Sequence, residues 1–175
     1  VDEAVSFAAD RDPAKRDRAV MGMVGGEEWA SHWAWVSTAA FVGRMGGRDQ
    51  EQGRGFLPLF LHEWIEERLA RGEGYDTIVQ EMLGSKGWLD ENSAVSFYLR
   101  WREPENALGA ASRLFLGTQI QCAQCHNHPF DRWTMDDYYS FASFFSQLGR
   151  KNADDPREVS VYNWRSGEVK CPRAG

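Results

Sequence analysis

Cysteine and histidine are scarce in this chain, with three and four copies among 175 residues. Three cysteines are too few for a disulfide scaffold. Basic runs are absent as well. The net charge is -6 and the pI is near 5.3, which excludes an ordinary nucleic-acid binder, because phosphate recognition needs clustered Lys and Arg. Long hydrophobic runs are also missing. The longest nearly apolar stretch, WAWVSTAAFVG starting at Trp33, is too short to cross a bilayer and carries Ser37 and Thr38. Direct membrane insertion is therefore not expected. No Ser-His-Asp set, phosphate loop or pair of catalytic carboxylates stands out, and Glu66 and Glu67 read as part of a solvated helix face. The chain opens on Val1 without a signal-peptide pattern, which fits a removed leader or a piece of a longer protein.

What remains is rich in aromatic residues (13%) and otherwise of ordinary globular composition. Helical periodicity dominates. The first 26 residues read as a polar lead-in with some helix, broken at Pro13. From Glu27 a helix is expected to bury Trp29, Trp33, Val36 and Ala40, with His32 on that apolar side. GGRDQEQGRG, residues 46–55, reads as a Gly-rich loop. Over 57–70 a helix should bury Leu57, Phe60, Leu61, Trp64, Ile65 and Leu69, with His62 on the charged side. Shorter helices are expected over 75–83, around SAVSFYLRW, and from Pro104 to near Gln119. Thr134 and Asp137 have the spacing of a capping box opening a helix over 135–148, with an aromatic face of Tyr138, Phe141 and Phe145. EVSVYNWRSGEVKC reads as two strands around Arg165, Ser166 and Gly167. The expectation is a single, mostly α-helical domain over 1–175 with a small C-terminal β-hairpin over 156–175.

Two of the three cysteines and two of the four histidines fall in one stretch, CAQCHNHPF, from Cys122 to Phe130. Cys-x-x-Cys-His is the attachment pattern of c-type haem. Cys122 and Cys125 would each bond one vinyl group, and His126 would face the iron. One alternative is a zinc site of Cys122, Cys125, His128 and Cys171. A redox dithiol is another, although no strand-helix-strand unit surrounds the motif. His128 lies too close to His126 to reach the opposite haem face and reads as a loop-fixing residue. His32 and, behind it, Met135 are the candidates for a second axial ligand. Arg132 is a candidate partner for haem propionates and Trp133 for packing beside the porphyrin. The aromatic helix after the motif should form one wall of the haem site, with the helix carrying Trp29 to Val36 closing the distal side.

The blocks LFLHEWIEERLARGEGYDTIVQEML, FLGTQIQCAQCHNHPFDRW and DDYYSFASFF resemble a domain of unknown function from secreted planctomycete and related bacterial proteins. That domain often accompanies planctomycete cytochrome-c-type domains and has itself been called cytochrome-like. The resemblance implies export to the periplasm or the cell exterior, one haem c, and often a further large domain. This chain stops at GEVKCPRAG, where members of the family usually continue, and carries Cys171 where many relatives have His. The resulting expectation is an electron carrier with one covalent haem, acting with a redox partner protein or within a larger complex. A zinc- or disulfide-clipped docking module and a haem enzyme with an open distal side remain as alternatives.

Overall fold

The structure, a computed structural model, describes residues 2–43, 55–155, 157–164 and 166–170. All but the last residue of the expected Gly-rich loop falls outside these, as does Cys171. The chain is mostly helical and ends in a small antiparallel sheet. Helices α1 (Asp2–Ala9) and α2 (Lys15–Met23) occupy the polar lead-in and bury no residue. Arg18 ties them together by ion pairs to Asp10 and Asp12.

α3 (Glu27–Phe41) packs along α4 (Leu57–Ala70). The buried stripe of α3 is Ala30, Ala34, Thr38 and Phe41, not the expected Trp33 and Val36, which are exposed. Both stripes have helical spacing. α4 supplies the bulk at this contact through Leu57, Leu61, Trp64 and Ile65, so the small side chains of α3 allow the closer approach. His32 consequently stands exposed on α3, its ring edge-on to Trp33. His62 corrects another expectation. It is buried at 6% exposure, because Trp35 stacks on its ring at 3.9 Å.

Beyond α5 (Tyr75–Leu83), the short helix α6 (Ser96–Arg100) serves its neighbours. The Trp101 indole N–H donates to the Phe41 carbonyl and Arg100 Nε to the Val42 carbonyl, closing the C-terminal end of α3. The Tyr98 hydroxyl donates to the Leu83 carbonyl at the end of α5 (2.6 Å). α7 (Pro104–Phe115) follows, with Ala107, Leu108, Ala110 and Ala111 in the core.

The terminal sheet differs from the expected hairpin. β1 (Gly87–Trp88), β3 (Val159–Asn163) and β2 (Leu148–Asn152) pair antiparallel in the order β1-β3-β2. α8 (Met135–Ser143) is shorter than the helix expected over 135–148: residues 144–147 form a turn and Leu148 opens β2. On β2, Gly149 pairs with Tyr162 across the ladder, and a Cβ there would meet the Tyr162 ring at 2.6 Å. Val159 and Val161 alternate into the core on β3. Residues 166–170 form no strand.

Candidate functional site

The motif turn is launched by a glycine. Leu116 caps the end of α7, and Gly117 takes φ +63°, a left-handed conformation that side chains disfavour. The chain reverses there, and the Thr118 N–H donates to the Ser112 carbonyl at 3.1 Å. A 3-10 turn over Ile120–Gln124 follows, with Cys125 as its C-cap. With three residues per turn, positions three apart share a side. Ile120 and Ala123 face inward, at 1% and 0% exposure. Cys122 and Cys125 face outward, and both are exposed free thiols. The Cys-x-x-Cys spacing therefore puts two thiols on the solvent side of one turn.

The turn packs on α8 and α7. The Tyr139 hydroxyl donates to the Gln124 carbonyl at 3.1 Å. Asn127 makes the second tie: its Oδ1 accepts the Met135 backbone N–H at 3.2 Å, where α8 begins. α8 opens on the expected capping box. Thr134 accepts from the Asp137 N–H, and Asp137 accepts from the Thr134 N–H and hydroxyl. The Thr134 N–H holds the Asp137 carboxyl below the usual carboxylate range.

The two motif histidines sit in complementary states. His126 is exposed, and its Nδ1 lies 2.7 Å from the Asn127 carbonyl oxygen. A carbonyl only accepts, so Nδ1 carries the proton and, in the neutral ring, Nε2 keeps its lone pair. The Phe130 N–H donates to His128 Nδ1 at 3.2 Å, so the lone pair of the neutral His128 ring is used and its proton lies on Nε2. The His128 N–H in turn donates to the Trp133 carbonyl at 2.8 Å. His128 is a loop-fixing residue, and only His126 offers a free donor nitrogen.

The remaining site candidates are distributed around this turn. Arg132 is exposed, with its guanidinium 5.3 Å from the Trp133 ring. Trp133 is half-buried against the core. Met135 is tied to Asn127 through its backbone, and its side chain is in the core at 3% exposure. His32 has no hydrogen bond to the motif among the described residues. Tyr138 and Ala142 of the aromatic helix face are turned into the protein core, and burial pushes the Tyr138 phenol up to about 12, with Glu105, Tyr139 and Cys125 adding to the shift. Among the described residues, no group of three or more His, Cys, Asp or Glu is arranged to hold a metal ion, and none of the helices is long and apolar enough to cross a membrane. Asn127 and Gln124 are the site residues that motif reading missed. The only available signal was an Asn between two histidines, and its roles depend on where α8 starts.

Residues 1–150 match the family described as "PSCyt2: Protein of unknown function (DUF1549)". The chain belongs to the PSCyt2 family. This is the planctomycete-type domain of unknown function to which the CAQCHNHPFDRW block pointed. No curated protein and no solved structure matches the chain. The PSCyt2 description assigns no activity, so any reading of haem binding rests on the chemistry of the site.

Proposed function

We propose that this PSCyt2 chain is an exported, c-type cytochrome-like module that carries one haem covalently on Cys122 and Cys125 and transfers electrons. The observation that carries the reading is the tautomer of His126. A ligating imidazole commonly donates its other N–H to a carbonyl, which fixes the ring and raises its basicity, and His126 already donates Nδ1–H to Asn127. The donor set fits the group: two free thiols on one side of a turn, followed by an imidazole with an open Nε2. Cys122 and Cys125 would hold the group as two thioethers, each S–H adding across one vinyl double bond with no oxidant needed. When bound, haem supplies an iron centre that cycles by one electron.

The chain's own residues hold that arrangement. The inward side chains Ile120 and Ala123 anchor the turn, while Asn127 and Tyr139 fix it to α8. Arg132, exposed on the same loop, would pair with a propionate. His126 is the one protein ligand in this reading. Met135 stands in the core and His32 on the exposed side of α3, so neither would join His126 in holding the group.

The test is a visible spectrum of the protein produced by export in a bacterium with haem-attachment machinery. Sharp reduced bands that survive acid-acetone extraction, with haem staining after denaturing electrophoresis, are expected. Staining should be weakened in Cys122→Ser and Cys125→Ser. A colourless protein that holds one zinc would replace this reading with the zinc-clipped docking module.

A further inference from the structure

We infer that Phe130 is the apolar cover of the porphyrin, lying against the haem on the outer side of the motif; this rests on the haem reading above. The inner side is closed. The motif turn packs directly on α8, Tyr139 bonds to Gln124, and Tyr138 and Ala142 are used by the core. Both thiols and His126 are exposed, so a flat group bonded to them lies on the solvent side. Phe130, on the loop that leaves the motif, is likewise open to solvent and is the most exposed large hydrophobic residue among those described, at 95%.

Phe130 is not on a loose loop. Its N–H donates to His128 Nδ1, and the His128 N–H donates to the Trp133 carbonyl. Asn127 holds the start of the loop to Met135, and the capping box fixes its end at Thr134. The result is an aromatic ring held in water, four residues from His126, by a hydrogen-bonded scaffold that gives the ring itself nothing to pack on. A porphyrin bonded to Cys122 and Cys125 is an apolar surface of the size that such a ring would cover. The role of His128 follows: its loop-fixing bond positions Phe130.

The experiment compares the full haem-loaded chain with Phe130→Ser, Phe130→Leu and a control, Phe144→Ser. Phe144 is 80% exposed just beyond the end of α8. The readouts are the midpoint potential and the shift of the haem absorption band when sucrose is added. Water reaching the ring edge favours the ferric state, which carries the extra charge. Phe130→Ser should therefore lower the potential and enlarge the sucrose-induced shift, while Phe130→Leu and Phe144→Ser stay near the parent. Covalent haem in the parent with both readouts unchanged in Phe130→Ser would overturn the inference and leave the attachment reading standing. Absence of stained haem in the parent would overturn both.

Discussion

Asn127 uses its two oxygens in two directions. Its carbonyl accepts from His126 Nδ1, and its side-chain oxygen accepts from the backbone of Met135. The orientation of the candidate ligand and the seat of the motif thus depend on one residue. The contrast between the neighbouring histidines gives a sharp expectation. His126→Ala should change the spin state of the haem-loaded protein with little effect on unfolding, since the ring is exposed and bonds only to the adjacent residue. His128→Ala should leave the axial ligand in place and cost about 1 kcal/mol in urea unfolding, the typical worth of one hydrogen bond, because Phe130 loses its acceptor. A spectrum altered by His128→Ala and unmoved by His126→Ala would reverse the assignment. At this scale the hydrogen bond of His128 within its own loop was legible because it is local. His62 was not. Its helix neighbours Glu63 and Glu66 suggested solvent, but the residue that covers it is Trp35, from a different helix. No spacing within α4 encodes that stack.

At the scale of elements, the sequence revealed those whose signals lie within themselves. The capping box at Thr134 and Asp137 is one, and the broad apolar side of α4 is another. The buried side of α3 could not be read this way, because its aromatic and small-residue stripes are equally periodic and the partner helix chooses between them. The sheet was missed for a related reason: β2 begins where an aromatic helical pattern runs on, and only its pairing with β3 makes Leu148–Asn152 a strand. Asp155, between the two strands, accepts from the Arg157 guanidinium and N–H, which holds its carboxyl down at about 2. Because α8 starts at the motif, its cap is coupled to the site. Thr134→Ala removes the oxygen that accepts from Asp137 and should destabilise the protein by about 1 kcal/mol, the usual cost of losing a Thr N-cap. The urea midpoint measures this. Replacement with Ser, which keeps the hydroxyl, should recover most of the loss. A Ser variant as unstable as the Ala variant would show that the cap is not what α8 requires.

At the scale of the whole molecule, α6 joins pieces that are distant in sequence, and two buried phenols lie in the assembly it completes. Tyr98 is 3% exposed and donates to Leu83; Tyr138 is 1% exposed beside the motif. Burial pushes both phenols from the ordinary 10.0 up to about 12. The sign follows from linkage. In the unfolded chain these phenols lose their protons near pH 10, whereas in the folded chain they keep them until about pH 12. Between those limits the unfolded state binds fewer protons, so stability falls as pH rises. It is fully present below pH 10 and lost through the window that ends at the folded value. Each phenol contributes at most about 1.4 kcal/mol per pH unit to that slope. Urea unfolding should accordingly show a falling midpoint above about pH 10. Tyr98→Phe separates the two effects. It should lower stability near neutrality by about 1 kcal/mol, because the Leu83 carbonyl loses its donor, and it should flatten the alkaline slope, because Tyr138 and Tyr75, whose phenols burial also raises, are left without the contribution of Tyr98. A variant that loses stability at neutral pH but keeps the full parental slope would show that Tyr98 is not one of the groups responsible. Tyr138→Phe then gives the complementary test, and its slope should flatten without the loss that belongs to Leu83.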